Sequence, residues 1–425
     1  MSSRVVVLSI PQLRLKDVTP GALASLESLA GRGGVVEFEP AFPSLAAPSF
    51  ATLVTGQTPA RHGIVGDAFF DRVARRVRRR PFADADVPGP KLWDRLAAAR
   101  PGATTLAWLT PSLRGAAVQT AAWVEADDEL HTEPPDLAAR LEGPFGAYPA
   151  PRAGVTAGER PRLAATSWIL KSAARAIAET NPALALVRIP YLGQVARRHG
   201  PDGREASRSV VELEGLLKPF LASLPKDVLV VAVTESVSTP VTAPVYPNRV
   251  LRELGLLELR PAPGGGLDVD LEASAAFAVA DHQLGHVVLN DPGVAATVAA
   301  AFSGPDGEGV ATVASGRRRI ALGLGHAHAG DIVLVAEPDH WFAPHWWETP
   351  AERPTTIPSG LATAASRDPA QVRGSLGAPA PNPSYHGVLV ASQPGVLAGL
   401  GPGQSCTACA LTGRLARALG LPDAP

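Results

Sequence analysis

Along this chain the apolar residues gather into short unbroken runs, and between those runs they recur at helical spacing. "RVVVLSI" (residues 4–10) is continuous rather than alternating, as a strand buried on both faces requires. It leads into "TPGALASLESLAGRGG", where a proline near the start and glycines at the end bracket a helical pattern. "KLWDRLAAARPGATTLAWLT" gives helix then strand, and "ATSWILKSAARAIAETNPALALVRIPYLG" repeats the unit. A further helical pattern from about Glu205 to Leu224 ends in the buried-strand run "DVLVVAVTES". Repeated alternation of this kind predicts an α/β fold, with a mainly parallel central sheet covered on both faces and any chemistry at the carboxyl ends of its strands.

Between about Leu259 and His345 the rhythm changes. "GHVVLN", "DPGVAATVAAAFSG", "GVATVAS" and "GDIVLVAEP" read as strand, helix, strand, strand with short connections. The pattern predicts a small α+β cap at 259–345, inserted in a core domain made of 1–258 and 346–425. A Pro/Ala/Gly-rich stretch at about 349–383 reads as largely irregular.

Composition sharpens this picture in a few places. With 425 residues, 46% hydrophobic and 19% charged, the chain can bury a large core. A formal net charge of -1 with no long basic block argues against a nucleic-acid partner, and the run Arg75 to Arg80 reads as a solvated face. The first residues enter a strand directly, and no run approaches membrane-spanning length, so a cytoplasmic protein with no membrane partner is expected. The two cysteines, Cys406 and Cys409, stand at a helix start without a second pair, and read as packing residues rather than a redox or zinc motif.

Three stretches carry a more specific signal: "VVVLSIPQLR", "FPSLAAPSFATLVTGQTPARHGIVGDAFFD" and "VVAVTESVSTPV", followed more weakly by "GSLG" near 374 and the terminal "ALGLP". In this order they resemble the alkaline phosphatase superfamily, in particular its nucleotide pyrophosphatase/phosphodiesterase branch. The resemblance implies an alkaline phosphatase-like sandwich. It also implies hydrolysis of phosphate diesters or pyrophosphates by two metal ions, zinc or manganese among the candidates, and a Thr or Ser nucleophile.

Each position the resemblance assigns to that chemistry carries an unexpected residue. The metal-binding Asp that ends the first strand becomes Pro11, and the nucleophile becomes Ala46. The middle ligand motif falls on Tyr191 and Gly193, with His199 and Asp202 nearby. The Asp–His pair after a later strand becomes Glu235 and Ser236, and the last His becomes Leu376, so that only Glu235 keeps a metal-binding side chain. The expectation is therefore a pseudoenzyme: a phosphodiesterase-like scaffold without the dimetal site or other cofactor, acting through an unknown ligand or protein partner at its cleft.

Chemistry moved elsewhere is the alternative. Ser44 or Ser49 offers a hydroxyl near the helix that would have carried the nucleophile, although capping is the ordinary use of such serines. Asp281, His282 and His286 bring two imidazoles four residues apart. His326 and His328 form an HxH pair, with Asp339, His340 and His345 beyond the strand-like "DIVLVAEP". A rearranged, active phosphoric-ester hydrolase would draw on these residues. Trp341, Phe342, Trp346 and Trp347 in the same region read as packing, and otherwise as a surface for gripping a ligand.

Overall fold

The structure is a computed structural model that describes residues 4–111, 117–124, 129–150, 159–304, 307–362, 368–379, 382–401 and 403–422. Nine strands make one sheet: β1 (Val5–Ser9), β2 (Gly34–Glu39), β3 (Thr105–Trp108), β4 (Thr120–Val124), β5 (Leu130–Glu133), β6 (Leu184–Arg188), β7 (Leu229–Val233), β8 (Gly387–Ala391) and β9 (Ser405–Thr407). Their order is β9-β2-β8-β7-β1-β6-β3-β4-β5, and only β8 and β5 run against their neighbours.

The helices used below are α1 (Ala24–Gly33), α2 (Ala46–Thr55), α3 (Leu92–Ala99), α4 (Glu159–Thr180), α5 (Tyr191–His199), α6 (Arg204–Ser223) and α7 (Ala408–Ala418). Side chains alternate across a strand, so a central strand covered on both faces must be apolar at every position. In β1 Val5 and Val7 join one cluster with α2, α3 and α7, while Val6 and Leu8 join another with α1, α4, α5 and α6. The unbroken run "VVVL" is thus two interleaved faces, both buried.

β1 lies between β6 and β7 and is parallel to both, in a register that sets Ser9 opposite Arg188 on one side and Val233 on the other. The carboxyl ends of the three central strands therefore finish level, and the loops after Ser9, Arg188 and Val233 meet at one edge. This is the edge where α/β sheets place their sites.

A second sheet of four antiparallel strands runs Ala276–Asp281, Leu284–Leu289, Ile332–Ala336, Val310–Ser315, with the helix Ala295–Ser303 beside it. The strand Ala276–Asp281 adds one element to the sequence reading. It pairs with Leu284–Leu289 through a tight turn in which His282 takes a left-handed backbone, φ 63°. Among the described residues no helix is long and apolar enough to cross a membrane.

Candidate functional site: the edge beyond the central strands

Helix α2 begins at Ala46, directly after the extended Leu45, and is buried from Ala46 to Val54. Ala47 and Ala51 lie in the core cluster that α2 shares with α3, α7 and one face of the sheet. The helix stops at Gly56, whose left-handed φ of 72° only glycine adopts without strain. At its first helical residue, where the nucleophile was sought, stands a methyl group, 6% exposed.

Neither nearby serine caps this helix. Leu45 occupies the capping position, and the Ser49 hydroxyl, buried, has no hydrogen-bond partner. The cap comes instead from Asp67, whose Oδ1 accepts the Ala47 N–H at 2.7 Å. Its other oxygen is 3.0 Å from Arg80 Nε. The Asp67 backbone N–H in turn donates to Asp281 Oδ2 at 2.6 Å, across from the small sheet.

Burial, and then the neighbouring Asp67 charge, push the Asp281 carboxyl up to about 7, against the pull of Arg79 and Arg80. A carboxyl raised in the folded state stabilises while it is protonated and loses that contribution as pH rises through the folded value. Asp281→Asn, neutral at every pH, is accordingly expected to be more favourable relative to wild type at about pH 8 than at about pH 5. Urea unfolding at the two pH values checks this, and a reversed order would contradict it.

The positions that the resemblance assigns to metal ligands are packed or bonded within the fold. Pro11 is buried just beyond β1, and a Cβ added to Gly193 would lie 3.0 Å from its Cβ. The two have closed on each other where ligand side chains would need room. Tyr191 is buried and its hydroxyl donates to Glu212 at 2.6 Å, away from the strand edge.

Asp202 is held by Arg14, Lys16 and Tyr385. Burial would raise its pKa, but those three partners outweigh it and lower the value to about 2. His199 is the last residue of α5. Ser236 contributes its carbonyl, which accepts the Gln12 N–H at 2.7 Å, and Leu376 sits in the core cluster beneath α2.

Glu235 alone keeps ligand chemistry, and it is already engaged. Arg188, at the end of β6, donates Nε to its Oε2 at 2.7 Å and Nη2 to its Oε1 at 2.9 Å; Ser9 donates to Oε2 at 2.8 Å. The Glu235 side chain is 2% exposed and that of Arg188 14%. Burial works against the Arg188 charge, yet Glu235, with Asp67 and Tyr148, overcomes this and raises its pKa further. A fork-to-fork ion pair therefore fills the strand edge. Beside it lies a small pocket lined by Ser9, Ser49, Phe50, Thr234 and Glu235 among others, with room for about one water molecule.

Four of the histidines, His62, His286, His326 and His328, are engaged in hydrogen bonds of the fold, whereas the buried Nε2 of His345 has no partner among the described residues. His62 accepts the Ile64 N–H at Nδ1 and donates Nε2–H to Thr52 at 3.0 Å, and burial, then His326, drive its pKa down to about 3. His286 accepts the Gly330 N–H and donates to the Val65 carbonyl at 3.2 Å; burial lowers it to about 4. His326 accepts the His328 N–H, while His328 donates to the Gly63 carbonyl at 2.7 Å and stacks on Phe69.

A Cβ on Gly63 would be 2.8 Å from the His326 ring, which explains the glycine. Asp339 and His340 pair with each other at 2.7 Å, beyond the strand Ile332–Ala336. His282 sits in the hairpin turn, so it shares no helix face with His286. Among the described residues no three His, Cys, Asp or Glu side chains are placed to hold a metal ion.

Other features resolve as packing. Arg75, Arg76 and Arg80 are exposed, as a solvated face requires, while Arg78 and Arg79 are half-buried and bind Asp86 and the carbonyls of Gly360 and Leu361. Trp346 is fully buried and donates to the Leu267 carbonyl at 2.8 Å. Cys406 and Cys409 are free thiols, both raised in pKa chiefly by burial.

Sequence reasoning missed Arg188 and Asp67. The signal for Arg188 was present: a charge ending the apolar strand "LALV".

A family model described as Type I phosphodiesterase / nucleotide pyrophosphatase matches residues 5–365. Murine ectonucleotide pyrophosphatase / phosphodiesterase 5 has a similar structure, with a TM-score of 0.65, 14% identity, and 99% of this chain and 96% of that one covered. Phosphonoacetate hydrolase from Sinorhizobium meliloti 1021, in complex with phosphonoacetate, gives 0.65, 15%, 98% and 95%. An uncharacterized pyrophosphatase/phosphodiesterase of Schizosaccharomyces pombe is 38% identical over 96 residues, which span 22% of this chain and only 19% of that protein.

Proposed function

The chain belongs to the type I phosphodiesterase / nucleotide pyrophosphatase family, and within that family we propose that it is a diverged, non-hydrolytic member that acts by binding a ligand or a partner at its cleft. The observation that carries this reading is the Arg188–Glu235 pair. The one acid of ligand type at the strand edge already has a cation, and that cation is a side chain. Zinc or manganese does not fit here, because Pro11, Gly193, Ser236 and Leu376 offer no side-chain ligand suited to either, and Glu235 has no oxygen free of hydrogen bonds.

Ala46 removes the nucleophile independently. Binding and turnover are separable on this fold: murine ectonucleotide pyrophosphatase / phosphodiesterase 5 has been solved as an inactive threonine-to-alanine variant in complex with AMP. A cytoplasmic location belongs to the same proposal, supported by a sequence with only two cysteines in 425 residues, too few for the disulfide framework of many secreted domains. The rival reading, a hydrolase rebuilt from His326, His328, Asp339 and His340, requires groups that the strand Ile332–Ala336 holds apart.

The test is elemental mass spectrometry on protein purified without a histidine tag, together with turnover of an aryl phosphodiester in added zinc or manganese. The expected result is no stoichiometric metal, no metal-dependent turnover and a melting temperature indifferent to chelator. Ala46→Thr is expected to remain inactive as well, because a hydroxyl without a metal or base is not activated. About two metals per chain with metal-dependent turnover would overturn the proposal.

A further inference from the structure

We propose that the small pocket beside the Arg188–Glu235 pair is a hydroxyl site, which takes the terminal hydroxyl of a neutral, alcohol-type ligand entering past Pro40. Its walls come from elements distant in sequence. Ser49, Phe50 and Leu53 belong to one side of α2, and Phe38 to β2. Val233 and Glu235 bring the end of β7 and the loop after it, Ser9 the end of β1, and Ala408 the start of α7. Among the lining residues only Pro40 is not fully buried, so the way in lies there.

The polar groups of the lining select the guest. Thr234 is spent, since its hydroxyl donates to the Leu13 carbonyl at 2.6 Å and accepts the Val388 N–H at 2.9 Å. Ser9 gives its proton to Glu235 Oε2 and keeps only accepting capacity. Ser49 is 6% exposed, and among the described residues its hydroxyl has no partner, so it offers both a donor and an acceptor. Leaving such a group unsatisfied in a buried site is costly, which marks Ser49 as the point where a ligand is held.

A hydroxyl guest answers both serines, accepting from Ser49 and donating to Ser9. A carboxylate or phosphate can only accept, and would be set against the Glu235 carboxylate. An ammonium can only donate, and leaves the Ser49 proton without an acceptor. The space holds about one water molecule, the size of a hydroxyl, so the rest of the ligand lies toward Pro40. The walls of Phe38, Phe50 and Leu53 suit a short apolar stem behind the hydroxyl. This assignment rests on the reading that the cleft binds a ligand; metal content and turnover test that reading in separate assays.

Saturation-transfer NMR on the full chain tests the site, with ethylene glycol as the probe. The comparison ligands are acetate, ethylammonium and 1,2-dimethoxyethane, the last being the same probe with both hydroxyls methylated. Saturation transfer is expected to ethylene glycol alone. Ser49→Ala is expected to weaken its apparent affinity about tenfold, as the loss of one hydrogen bond does. Ser49→Val, which also fills the space, is expected to abolish the signal. Melting curves establish that each variant is folded, and should Ser49→Val not fold, the loss in Ser49→Ala decides. A signal that the folded variants keep at full strength means an adventitious additive only and overturns the assignment. Equal or stronger transfer to acetate, ethylammonium or the methylated probe, or no transfer to ethylene glycol, overturns it too.

Discussion

Arg188→Ala is expected to cost about 3–5 kcal/mol of folding free energy, because it strands the Glu235 carboxylate, 2% exposed, without a counter-charge in a largely buried site. The magnitude reflects what is left behind rather than the worth of the pair. Bringing both charges out of water is itself expensive, so an apolar replacement of both partners should recover most of the loss. Arg188→Met with Glu235→Leu is expected to lie within about 1–2 kcal/mol of wild type. Urea unfolding of wild type, both single variants and the double variant gives the coupling energy directly. A small loss in Arg188→Ala, under about 0.5 kcal/mol, would mean that Glu235 finds another partner, and the argument that its ligand capacity is consumed would fall.

Acid should weaken the fold well above the range where ordinary carboxylates titrate. Burial, followed by His326, holds His62 at about 3, and burial holds His286 at about 4, against an ordinary value near 6.5. A histidine lowered in the folded state stabilises above its unfolded pKa and loses that contribution as pH falls, since the unfolded chain takes up the proton first. Between about pH 6.5 and 4 these two together should remove on the order of 5 kcal/mol. His326 and His345, also lowered chiefly by burial, push the same way.

Asp281 opposes them, because its raised pKa makes the folded state take up a proton as pH falls toward 4. One carboxyl set against several imidazoles leaves a net loss. Stability should therefore climb steeply from pH 4 to 6.5, and more steeply still in Asp281→Asn. A flat profile over that window would show that these imidazoles reach water in the folded protein.

What could be read in advance follows from local rules. The runs "VVVL" and "LVVAV" are apolar at every position because both faces of a central strand are covered, and this was visible without coordinates. The α/β alternation followed; the placing of Ala46 at the nucleophile position came instead from the family resemblance. The extra strand Ala276–Asp281 was harder to see, since a short apolar stretch ending in a turn with a left-handed histidine carries no usual hairpin residue.

The side chains that fill the site obey no local rule. Arg188 and Glu235 are 47 residues apart, and Asp67 and Asp281 are 214. Each pair meets only because parallel strands end level, or because a hairpin of the small sheet reaches back to α2. By itself the sequence determined the layered fold and which residue stands at each position the family resemblance assigns, since periodicity and the identity of a side chain are properties of single segments. Only the tertiary structure decided what those side chains contact, because a buried charge takes its meaning from the partner that folding brings to it.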